Sequence, residues 1–162
     1  YTFNYISSTL MAGIKDQLMA DIKTAMKAGN QSELTTLRGL SSVLKNAEIA
    51  KQMKAGASAT LTDEEGMNVL LTEAKKRKDA IVAFAAGGRP ELATQEEAEL
   101  LIVQRYLPKQ LTTEETAREV ERILASAGAT EFPMAMKAVM AELRGKADAT
   151  AITEIIKKKF GK

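Results

Sequence analysis

Three pairs of neighbouring carboxylates, Glu64-Glu65, Glu96-Glu97 and Glu114-Glu115, and one run of cations, Lys75-Lys76-Arg77-Lys78, are the side chains whose types could do acid–base or anion-binding chemistry. A carboxylate pair works as general acid and base only when both groups reach one substrate from environments that separate their pKa values. Neighbours on a helix point about 100° apart, so no pair here meets that geometry by itself. Two of the pairs also fall in the first turn of a helix, where the dipole favours negative charge without any catalytic role. The cations fail in the same way, because four successive residues spread over about 300° of the axis and cannot make a flat patch. Arg77 falls on an apolar stripe and is expected to be partly buried with its head reaching out. Asp79 is spaced to offset Lys75 or Lys76.

The chain has no histidine and no cysteine. That removes the commonest general base near neutral pH, the commonest transition-metal ligand, the thiol nucleophile and the disulfide. No glycine-rich loop precedes a helix in the phosphate-cradling pattern, and no acidic spacing matches a calcium loop. The residues call for no catalytic group, no metal and no cofactor, and the chain alone is expected to have no intrinsic activity. No apolar run is long enough to span a membrane, and the first ten residues lack the basic start and apolar centre of a signal peptide. Residues 1–10 read as an upstream or vector extension before Met11, and a cytoplasmic address is expected.

The elements that must position any site are helices. Of 162 residues, 45% are hydrophobic but only 4% aromatic, and no segment alternates at period two, so small aliphatic helical cores are predicted. Ile14, Leu18, Ile22 and Ala25 stripe a first helix that ends at Gly29-Asn30. Leu34, Leu37, Leu40 and Leu44 stripe a second, from about Ser32 toward Lys54. Thr62-Asp63-Glu64-Glu65 is a capping box for a third, which runs to Gly87-Gly88, and Pro90 suits the first turn of a fourth.

The fourth helix must stop near Arg105, because Pro108 lacks an amide hydrogen and forces Leu107 out of the helical region. Thr112-Thr113-Glu114-Glu115 then caps a fifth helix. The segment Tyr106-Leu107-Pro108-Lys109-Gln110-Leu111 is thus an elbow of fixed length. Tyr106, Leu107 and Leu111 are too apolar for a solvated linker and are expected to pack between two helical parts, with Pro108 setting the angle. Beyond it, Val120 and Leu124 stripe the fifth helix, Met136, Val139, Met140 and Leu143 the sixth, and Ile152, Ile155, Ile156 and Phe160 the last. Gly145 ends the sixth helix, and Asp148 is an N-cap for the last. The expected fold is all-α, with about four helices over 11–106, an elbow at 107–111 and a small three-helix bundle over 112–162.

An acidic helix followed by Tyr106-Leu107-Pro108-x-Gln110-Leu111, and then the turn Gly145-Lys146-Ala147-Asp148 ahead of Ile152 and Ile156-Lys157, resembles the YqeY-like family over about Met11 to Lys162. Asp21-Ile22-Lys23 to Lys27 and the leucine stripe from Leu34 to Leu40 are similar to that family's opening helices. This chain departs in carrying Pro133-Met134 where relatives have Gly-Lys, with Lys137 one turn on, and Ala149 where they often have glycine. The resemblance implies two helical parts similar to the GatB tail of the tRNA-dependent amidotransferase. It also implies a family association with carbon–nitrogen ligase activity using glutamine as the amide donor. The catalytic cradle of GatB has no counterpart in this chain.

From Thr130 onward, seven basic residues face four acids, a net +3, while the whole chain is only +2. Lys137, Arg144, Lys146, Lys157 and Lys158 are therefore the candidates for contact with a polyanion, expected to be tRNA or another RNA held through its phosphates. A protein of the aminoacyl-tRNA pathway is a second possible partner, and a helical protein–protein adaptor the alternative function. Sequence-specific DNA is not expected: a reading helix starting Ala149-Thr150-Ala151 has almost nothing to bond base edges.

Overall fold

The computed structural model describes residues 13–160, so the expectations for the extension and for Met11 lie outside the described residues. Every regular element among them is an α-helix: α1 Ile14–Ala28, α2 Gln31–Ala55, α3 Asp63–Ala86, α4 Pro90–Gln104, α5 Thr113–Ala127, α6 Phe132–Leu143 and α7 Ala149–Phe160. The chain forms two compact units with their boundary between Tyr106 and Leu107.

In the first unit α1 packs on α2, and α3 lies along α4 in the most extensive pairing. The leucine stripe of α2 is buried as its spacing dictates, Leu34, Leu37, Leu40 and Leu44 being joined by Leu18 and Ala25 of α1 and Leu70 of α3. Asn30 caps α2 by accepting the Glu33 amide at 3.2 Å. Thr62 caps α3 in a closed box: its hydroxyl accepts the Glu65 amide, and the Glu65 carboxylate accepts the Thr62 amide at 2.8 Å. Lys51, bonded to the same carboxylate at 2.6 Å, is the main reason that its pKa falls to about 2, with the Thr62 amide acting in the same direction.

The unit closes on Tyr106. Its ring is buried, and its phenol donates a hydrogen bond to the Asp21 carboxylate of α1, 85 residues away. Arg105 beside it pairs with Glu33 of α2, so the last residues of the unit are bonded to both opening helices. Burial, and then the acceptor Asp21, push the Tyr106 phenol far above its usual range.

In the second unit α5, α6 and α7 pack pairwise around Val120, Ile123, Leu124, Ala135, Val139, Leu143, Ile152 and Ile156, with Leu111 against this core. A second capping box starts α5, Thr112 with Glu115, and Gly128 ends it in the left-handed conformation. The turn after α6 needs a residue at φ 79°, which Gly145 adopts without the Cβ clash that any other residue would suffer. Asp148 caps α7, its Oδ1 accepting the amides of Thr150 at 2.8 Å and Ala151 at 3.1 Å.

The elbow residues hold that turn. Gln110 Nε2 donates to the carbonyl oxygens of Pro108 at 2.8 Å and Gly145 at 2.7 Å, and the Leu111 amide donates to the Lys146 carbonyl at 2.7 Å. Both partners of the side chain are acceptors only, so both hydrogens of its amide nitrogen are used. Nothing in the spacing of the chain had assigned Gln110 a role.

Gln110→Ala leaves two carbonyls without their donor and should cost about 1–3 kcal/mol of the second unit's stability. Gln110→Glu should cost more, since a carboxylate would face two carbonyls; urea denaturation of the full-length variants near neutral pH checks the order. For Tyr106 the folded pKa lies above the unfolded value of about 10, so its contribution is complete below about pH 10 and is lost as pH rises beyond it. Tyr106→Phe should be less stable than the parent near neutral pH, and the gap should narrow when the urea midpoints are followed into that alkaline range.

Candidate functional site

The backbone places the five candidate cations by the same arithmetic that buries the core. On α6, Ala135, Val139 and Leu143 face inward at intervals of four, and Lys137, about 200° from the first two, is exposed. On α7, Ile152 and Ile156 face inward, and Lys157 and Lys158, one and two steps past Ile156, are exposed. Arg144 and Lys146 stand in the turn between the helices, both exposed on either side of the buried Gly145. The side chains of Lys137, Lys146, Lys157 and Lys158 have no ion-pair or hydrogen-bond partner among the described residues; Arg144 is engaged.

These residues do not converge on a point. Lys146 belongs to the turn that joins α6 to α7, and Lys157 to the far end of α7, which the helical rise puts about 12 Å beyond that helix's first residue. Lys157 and Lys158 diverge by about 100°. Such a spread suits a line of phosphates better than a single anion. One acid of the segment is already offset: Arg122 of α5 bonds Glu142 of α6 at 2.7 Å and Glu119 at 2.9 Å, and these two bonds, Glu142 first, raise its guanidinium above the ordinary range.

The run Lys75-Lys76-Arg77-Lys78 is organised differently. Arg77 is only 16% exposed in its side chain and bonds Glu99 of α4 at 2.7 Å, with Glu73 one turn back at 3.6 Å. Glu73, itself buried, also holds Lys76 at 2.6 Å. Asp79 is spaced to offset Lys75 or Lys76; Lys76 has Glu73, fixed beside Arg77, as its carboxylate at helical spacing, and Lys75 is engaged as well. Both terminal nitrogens of Arg77 are taken by carboxylates, and its buried Nε meets no acceptor. The cluster is a strut between α3 and α4, with little charge left to attract a ligand.

The elbow residues fall to their own units. Tyr106 is buried in the first, while Pro108 and Leu111 are partly buried in the second, where Leu111 joins the core. Leu107 is buried.

Sequence reasoning missed one concavity. Thr130, Glu131, Phe132, Pro133, Lys157 and Phe160 line an open cleft of about 640 Å³ where α6 begins and α7 ends. Phe132 and Phe160, two of only seven aromatic residues in the chain, pack against the core from this side. The signal available was their scarcity: in a chain whose cores are aliphatic, Phe132 lies on no stripe, and Phe160, which ends the stripe of α7, is the one aromatic residue on it.

The chain is similar to a yeast protein named "Altered inheritance of mitochondria protein 41, mitochondrial". From Saccharomyces cerevisiae it is 28% identical over 167 residues, covering 96% of this chain and 88% of the relative. From Vanderwaltozyma polyspora it is 31% identical over 128 residues, covering 78% and 66%. These relatives are mitochondrial by name, which overturns the expected cytoplasmic address. That expectation rested on the lack of a spanning run and of a secretory signal, and neither absence specifies a compartment. The model of the family described as Yqey-like protein matches residues 15–160, which span the seven helices of the described residues but for the first residue of α1. With the elbow and the Gly145–Asp148 turn both inside that match, the chain belongs to the family of YqeY-like proteins.

Proposed function

We propose that this protein is an RNA-binding accessory that holds tRNA, or an RNA of similar shape, by its phosphates. In this reading it is a module resembling the GatB tail of the amidotransferase, with four helices before the elbow and a three-helix unit after it. The observation that carries the reading is the contrast between two sets of cations. Lys76 and Arg77 are spent on buried or half-buried carboxylates, whereas Lys137, Lys146, Lys157 and Lys158 are exposed without partners among the described residues. Lysines supply charge without reading base edges, so the binding is salt-sensitive and largely indifferent to sequence. The amide-transfer chemistry associated with the family has no catalytic group here to perform it.

A second reading, a helical protein–protein adaptor, is favoured by the exposed methionines of the first unit. Met19 and Met26 lie two turns apart on α1 and are 50% and 55% exposed, and Met53 near the end of α2 is 85% exposed. Flexible thioether side chains on an accessible helix suit an apolar partner helix.

Changing Lys146 and Lys157 to glutamine should weaken tRNA binding and flatten its log–log dependence on salt by up to two contacts, each about 0.7–0.9 in slope. Neither residue is part of the core, so the helical signal should be unchanged. Glutamine at Lys75 and Lys76 should matter less, because Lys76 is already paired with Glu73. Titration of tRNA at several salt concentrations decides the matter: no binding at low salt, or a larger effect of the Lys75/Lys76 pair, would favour the adaptor.

A further inference from the structure

We infer that the cleft at the start of α6 binds a single unpaired guanine nucleotide; this rests on the reading of the chain as an RNA binder and assigns that RNA a specific contact. At about 640 Å³, the cleft is in the range of small-ligand sites and larger than one nucleotide needs. Its lining combines three chemistries in one place. Phe132, Pro133 and Phe160 give flat apolar surface, Lys157 gives a positive charge, and Glu131 with Thr130 gives acceptors beside them.

Each group is available. Phe132 and Phe160 are partly buried, backed by the core of the unit, so they are held in place while still lining the opening. Lys157 is exposed and has no partner among the described residues. Glu131 occupies the N-cap position of α6, yet its side chain makes no capping bond, so its carboxylate is not consumed by the helix it precedes.

The combination selects its ligand by elimination. Free phosphate would use Lys157 but would be repelled by Glu131 and would leave the rings uncovered. An apolar peptide helix would cover the rings but would leave both charges desolvated and unpaired. A nucleotide has a flat face for the phenylalanines, a phosphate for Lys157 and a polar edge for Glu131. An ionised carboxylate only accepts hydrogen bonds, so it favours the base edge with the most adjacent donors. Guanine presents two neighbouring donors, N1–H and the N2 amine, to one carboxylate; uracil presents a single N–H between two carbonyls that repel it. Base pairing would occupy the same edge, and so the nucleotide must be unpaired.

The test follows the Phe132 and Phe160 ring resonances of the full chain by NMR during titration with guanosine 5′-monophosphate, uridine 5′-monophosphate and inorganic phosphate. The guanine nucleotide should shift both rings saturably, the uracil nucleotide should bind more weakly, and phosphate should leave the rings unmoved. Phe160→Leu keeps an apolar core contact but removes the stacking surface and should weaken guanine binding about tenfold. Glu131→Gln, at an exposed position, should abolish the preference for guanine over uracil while leaving the helices intact. Equal affinity for the two nucleotides, ring shifts caused by phosphate alone, or no saturable shift would overturn the inference. Titration of tRNA with the same variants separates this inference from the one beneath it. Unchanged tRNA affinity in Phe160→Leu refutes the cleft contact and leaves phosphate binding standing, whereas nucleotide binding without tRNA binding refutes the RNA role alone.

Discussion

A chain without an amide hydrogen at residue 108 cannot carry α4 through that point, and the organisation around this break follows from that one missing donor. The helix ends at Gln104, the unit boundary falls two residues later, and a segment of non-helical backbone must satisfy its own carbonyls. Gln110 does so from within the segment. One amide nitrogen with two hydrogens serves the Pro108 carbonyl and the Gly145 carbonyl at once, so the stretch that follows the break is also the stretch that shapes the turn before α7. The Leu111–Lys146 backbone bond adds a second tie, one residue further on. Proline and glutamine in this spacing therefore act as one device, a stop and a clamp.

The treatment of charge follows from burial. Arg77 lies on the inward side of α3 and would be costly there unpaired, so carboxylates from its own helix and from α4 converge on it, and a neighbouring lysine is drawn into the same network. The lysines of the last two helices and their turn are outside the core, need no such compensation and keep their charge for solvent or for a polyanion. Four consecutive cations in α3 thus leave less usable positive charge than the lysines scattered over α6, the turn and α7. Counting charge along the chain already favours the second region, at net +3 from Thr130 onward; the location of the carboxylates adds which cations of α3 are spent.

Both ends of most helices were legible in the sequence because their signals are local. A threonine with a glutamate three residues on satisfies amides inside one turn, a proline acts on its immediate neighbour, and an aspartate caps the helix that follows it; hence Thr62, Thr112, Pro108 and Asp148 announced boundaries close to where the structure places them. The buried leucines of α2 were equally plain, since a stripe at intervals of three and four has one geometric meaning.

What only the tertiary structure decided are the partners that lie far apart in sequence. Tyr106 could be seen as apolar and hinge-adjacent, but its acceptor Asp21 is 85 residues away. Gln110 meets Gly145 across 35 residues and Arg77 meets Glu99 across 22, and a side chain's own sequence neighbourhood says nothing about which distant carbonyl or carboxylate folding will bring to it. The cleft is of the same kind: Phe132 and Phe160 belong to different helices, and a concavity between two helices is a property of how they pack. Composition and spacing determined that the chain is helical, where its helices start and stop, and that no histidine or cysteine chemistry is open to it. Which charges are spent and which remain free was decided by the packing, because an ion pair depends on distance in space and a sequence specifies only distance along the chain.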